Sequence, residues 1–121
     1  MTAAAHAALP SWSRRLISEL EANDRRAERL ANVLTPEQLN WRPRPDAWSV
    51  GQCLHHLQSN RAARELVYAS SNYDVNRIRF KNPFIPVLRF TVGTGLEIVA
   101  KHQSCHLLQA EAVRQSAEFP A

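Results

Sequence analysis

Between Leu9 and Leu34 apolar residues return every third or fourth position, at Leu9, Trp12, Leu16, Leu20, Ala27, Leu30 and Leu34. That spacing lays one broad stripe along a 3.6-residue helix. It predicts a long amphipathic helix from Pro10 to Leu34, with Pro10 tolerated in the first turn. A half-buried strand would demand alternation instead. Only three glycines occur in the 121-residue chain, and most of the remaining pattern also keeps the helical period. The fold class is therefore all-α. A chain of this length has room for one domain, residues 1–121, around one core.

Local signals divide the rest of the chain. Thr35, Pro36 and Glu37 read as the cap, first-turn proline and early acid of a short helix. The Arg42-Pro43-Arg44-Pro45 stretch cannot continue it, because each proline pushes its predecessor out of the helical region. Ser49 followed by Gln52 has the form of a capping box. It opens a second long helix from Val50 to about Ser70, which ends in the polar Ser70-Ser71-Asn72 cluster. Tyr73 to Gly95 holds Pro83, Pro86, Gly93 and Gly95, with Phe84, Ile85, Val87, Leu88 and Phe90 between them. It reads as a short helix or an irregular connection. Thr94 and Glu97 suggest another capping box, for a last helix reaching about Ala117.

Composition removes several classes. Hydrophobic residues make up 45% and charged residues 21%, a globular rather than a disordered balance. No run approaches the roughly 18 to 20 apolar residues of a membrane span. The Ala-rich Met1 to Pro10 stretch lacks the basic region of a secretory signal. Two cysteines, Cys53 and Cys105, are too few for a disulfide scaffold, so a reduced, cytoplasmic setting is expected. The net charge of +4 has a local source. No acid lies between Asp74 and Glu97, whereas Arg77, Arg79, Lys81 and Arg89 do. Such a segment suits an anionic substrate or an acidic partner. Nucleic acid is not expected, because no binding fingerprint accompanies the charge.

Four of the five histidines fall in two helical stretches. His102 and His106 are spaced i, i+4, so both imidazoles project from one helix face. Two nitrogens so placed can take adjacent positions on one metal ion. The same face runs through Val99, Gln109 and Val113, which points it toward the bundle. On the earlier helix His56 lies in line with Gln52, Cys53, Asn60, Ala63 and Val67, a stripe expected to be mostly buried, while His55 sits about 100° away toward the edge. Hydrogen-bonded core histidines are the plain alternative to a metal site. Gln103 follows His102, so the H-E-x-x-H pattern of a zinc protease is absent. Cys53 and Cys105 read as packed thiols. Asn60 and Gln109 lie within a turn of these histidines and can orient imidazoles. Trp41 and Trp48 read as anchors of the lead-in loop, and Ser49 as a cap rather than a nucleophile.

The run from Leu34 through Trp48 and Ser49 to His55-His56-Leu57 resembles the DinB/YfiT-like superfamily, as does the H-x-x-x-H-L-x-Q pattern of His102, His106, Leu107 and Gln109. The resemblance covers about Trp12 to Leu57 and Gly95 to Pro120. It implies an up-down four-helix bundle with a divalent metal held by His56, His102 and His106. Members include transferases and isomerases that use small thiols, and homodimers are common among them. The connection between the two motif helices is too short for the usual third helix, which leaves the core open on one side unless a second copy completes it. Three neutral imidazoles admit zinc, nickel, iron or manganese and leave positions open for water or substrate. An ion held in this way favours thiol transfer or hydrolysis through a bound thiol or water, and the basic Arg77 to Arg89 segment is the candidate for recognising an anionic group. The rival expectation is a metal-binding or metal-free dimeric scaffold without catalysis.

Overall fold

A computed structural model describes residues 8–77, 79–81 and 89–121, without the side chains at 58–60, 80 and 81. Helix α1 spans Ser11–Val33, within one residue of each expected end. The short α2, Pro36–Asn40, starts in a closed capping box between Thr35 and Gln38. α3, Val50–His55, starts in a second one, in which Ser49 Oγ accepts from the Gln52 N–H and Gln52 Oε1 from the Ser49 N–H. The expected long second helix is interrupted. A 3-10 turn, His56–Ser59, tightens the chain before α4, Asn60–Ser70, resumes.

Two expectations are corrected between Ser70 and the last helix. Strands β1, Arg79–Lys81, and β2, Arg89–Thr91, pair antiparallel with Arg79 opposite Thr91 and Lys81 opposite Arg89. The basic segment is therefore carried on a hairpin, where a short helix or irregular link was expected. The apolar run Phe84 to Leu88 lies outside the described residues. Helix α5, Val92–Arg114, is capped by Thr91 rather than Thr94, whose backbone N–H is instead the one that Thr91 Oγ1 satisfies. Its end at Arg114 falls three residues short of Ala117, because Gln115 closes the last turn.

Three helical rods result: α1, the α3–α4 unit and α5. α1 packs on α4 and α5, and α3 packs on α5. At one end Leu16, Ile17 and Leu20 meet Val67, Leu96 and Ala100. At the other, Leu30 meets Val50, Cys53, Leu57, Leu107, Ala110 and Val113, sealed by Trp41, Trp48 and Phe119. These pairings run α3–α4 antiparallel to both α1 and α5. Among the described residues no helix lies between α4 and α5, so the bundle is all-α with its third long helix missing. Polar ties cross the same seams. Arg26 pairs with Glu111 at 2.8 Å, Arg64 with Asp24 at 3.2 Å, and Arg15 with Glu97. Partly exposed ion pairs of this kind contribute little beside the apolar contacts.

A candidate metal centre between two helix flanks

The buried stripe of the second rod begins at Val50, Cys53 and Leu57. His56 is therefore rotated off it by one position, onto the flank that faces α5. On α5 the stripe is Leu96, Ala100, Gln103, Leu107 and Ala110. His106 borders that stripe and is buried, while His102 stands one turn further out and is exposed. The expected buried face is thus corrected: His56 and His102 are exposed, and only His106 is enclosed. The reason is that α5 is apolar on more than one side. Ile98, Val99 and Leu108 are also exposed, so periodicity alone does not single out its inner face.

The three imidazoles nonetheless gather around one indole. Trp48 lies 4.3 Å from the His56 ring and 5.5 Å from the His106 ring, stacked on the latter within 9°. The His56 and His106 rings are 5.1 Å apart, and the His102 and His106 rings 4.5 Å apart. The Nε2 atoms of His102 and His106 approach to 3.0 Å. Two nitrogens bound side by side to one ion at roughly 2.0–2.1 Å sit about 3.0–3.4 Å apart. The close pair therefore already has ligand spacing. Among the described residues, however, no group of three or more His, Cys, Asp or Glu side chains stands as a ready metal-binding set.

His106 carries an unresolved demand. Its Nδ1 is buried without a hydrogen-bond partner. In the His102–His106 hydrogen bond one Nε2 donates to the other, and His106 Nδ1 is then left as an orphan acceptor or an orphan donor. Burial pushes the His106 imidazole below its ordinary pKa. His102 adds to that fall, the Gln109 side chain opposes it, and His56 lowers it slightly. A neutral ring is the form that ligates metal.

The neighbouring polar groups sort differently from the sequence expectation. Trp48, read as a loop anchor, does pack against the core, and it also stands beside the His56 and His106 rings. Its place eight residues before His56 was the available signal, but proximity in sequence does not reveal stacking. Gln109 is exposed and opposes the fall in the His106 pKa, and the Asn60 side chain lies outside the described residues. Cys53 is fully buried, and burial raises its thiol pKa, in keeping with a packed residue. Cys105 is exposed rather than packed. A thiol titration with Ellman's reagent should therefore find one prompt thiol in the native protein and two after denaturation. Two prompt native thiols would contradict the burial of Cys53.

The basic residues sit away from this centre. Their hairpin adjoins the start of α5, and Val92 precedes His102 by ten positions, or about 15 Å along a helix. A cavity of about 580 Å³ instead opens at His56, between α2 and α3, lined by Leu39, Asn40, Trp48, Gln52 and His55 among others. No described helix is long and apolar enough to cross a membrane.

A family model described as the DinB superfamily matches residues 19–61, from the first third of α1 through the start of α4. No curated protein and no solved structure matches.

Proposed function

We propose that this chain, whose residues 19–61 match the DinB superfamily model, is a divalent-metal-dependent enzyme of that superfamily with a site built from His56, His102 and His106. The observation that carries the reading is the pair of Nε2 atoms 3.0 Å apart beside a buried, orphaned His106 Nδ1. A cation that replaces the shared proton leaves both Nε2 atoms as ligands and fixes His106 as its Nδ1–H tautomer. His56, exposed and in tilted contact with Trp48, supplies the third imidazole. Zinc, nickel, iron or manganese each suit such a donor set.

When bound, the ion would lower the pKa of a water or thiol and so favour thiol transfer or hydrolysis. The chain's own contribution is positional. Trp48 fixes the two ring planes of His56 and His106, and burial keeps His106 neutral. A cytoplasmic homodimer, with a second copy covering the side left by the missing helix, belongs to the same reading. The exposed Leu66, Ile98 and Leu108 on α4 and α5 support it.

Metal content by mass spectrometry tests the centre on tag-free protein, with wild type beside His56→Ala and His106→Ala. About one equivalent of a transition metal is expected in the wild type and almost none in either variant. A wild type that stays metal-free after supplementation would overturn the reading. The second reading, a non-catalytic helical scaffold, is favoured by the incomplete ligand set and the missing helix. It would then stand.

A further inference from the structure

The cavity between α2 and α3 is a built pocket with its own chemistry. Both of its helices start in closed capping boxes, which hold its walls. At the seam, a Cβ on Gly51 would lie 2.9 Å from the Leu39 carbonyl oxygen, so glycine is what lets the helices approach so closely. Among the described residues, no Asp, Glu, Lys or Arg lines the cavity.

Two amides set its polarity. Gln52 Oε1 is committed to the Ser49 N–H at 2.9 Å, which leaves the Nε2 group as a donor. Asn40 Nδ2 is committed to the Pro36 carbonyl at 2.9 Å, which leaves Oδ1 as an acceptor. Each committed partner dictates which way its amide points. The cavity therefore offers one anchored donor, one anchored acceptor and an indole, beside the imidazoles of His55 and His56.

We propose that this cavity binds the uncharged, planar carboxamide or peptide group of a small ligand. The ligand C=O accepts from Gln52 Nε2, its N–H donates to Asn40 Oδ1, and its apolar portion rests against Trp48. As the recognition half of the site at His56, the pocket rests on the function proposed above. A carboxylate of the same shape fits worse. It has no donor for Asn40, so that acceptor is left unpaired. Recognition thus falls to the amide pair rather than to the Arg77 to Arg89 segment.

Benzamide and benzoate are the probes, added to the full chain in excess chelator and followed by the NMR signals of the Trp48 indole N–H and the Gln52 side-chain amide. Benzamide should shift both signals, and benzoate should bind at least tenfold more weakly. Gln52→Glu keeps an oxygen for the Ser49 N–H, so the cap survives while the donor is lost. It should weaken benzamide at least tenfold with an unchanged denaturation midpoint. No benzamide binding, benzoate binding as tightly, shifts that miss Trp48, or a Gln52→Glu protein that binds benzamide like the wild type would each overturn the proposal. The wild-type comparison stands even if the variant misfolds. Because binding is read without metal, its failure is distinct from a failure of the metal analysis.

Discussion

Leu107→Ala should cost about 3 kcal/mol of stability, among the larger losses available from a single truncation in this chain. Leu107 is fully buried, and its cluster joins all three rods: Leu30 from α1, Val50 and Cys53 from α3, and Ala110 and Val113 from α5 itself. Removing three heavy atoms there forfeits their transfer free energy. It also leaves a cavity that rigid helices cannot collapse, and that second contribution lifts the cost above simple transfer. For a chain of this size the loss corresponds to a fall in Tm of roughly 10 °C. Leu107→Met keeps the volume and should cost under about 1.5 kcal/mol. Urea denaturation of the two variants checks this at unchanged slope. A Leu107→Ala loss under about 1 kcal/mol would mean that the rods do not share this core.

The elements legible in the sequence are those whose signals are local. The stripe from Trp12 to Leu30 places α1 to within a residue, and Thr35 and Ser49 mark helix starts because each cap is completed three residues away. The same logic misleads at Thr94. Thr91 has an equivalent hydroxyl, and the end of β2 at Thr91 decides which threonine caps α5. The hairpin was not legible because its pairing joins residues up to twelve apart, across a proline-containing stretch that carries no alternation signal. Within the site, the H-x-x-x-H spacing correctly brings His102 and His106 together. The exposure of His56 and His102 follows instead from how two stripes face one another, which depends on packing between rods. The pocket amides were hidden for a different reason. Gln52 is legible as a cap, and a capping residue whose other end faces a cavity looks the same in sequence as one facing water.

In excess chelator the protein should lose stability as pH falls below about 6.5, the ordinary imidazole value. The sign follows from His106. Its folded pKa is lowered, chiefly by burial, so below the unfolded pKa the unfolded chain binds a proton that the folded chain refuses. Stability is therefore fully present above the unfolded value and declines as pH drops toward the folded one, at no more than about 1.4 kcal/mol per pH unit for one proton. Saturating zinc should change both height and slope. A ligand that binds only the folded state at a hundred times its Kd adds about 2.7 kcal/mol near neutrality. The bound form would also exclude protons from three imidazoles that the unfolded chain protonates. The acid slope should then steepen toward about 4 kcal/mol per pH unit while metal remains bound. Denaturation at pH 7.5, 6.5 and 5.5, with chelator and with zinc, separates the two regimes. In His56→Ala and His106→Ala the zinc increment should vanish. His106→Ala should in addition flatten the chelator curve, whereas His56→Ala should leave most of it, because burial is the largest cause of the His106 shift and His56 the smallest. A wild-type chelator curve that rises toward acid would mean that His106 is stabilised as its cation in the folded state, and the orphaned Nδ1 would lose its place in the argument for a metal centre.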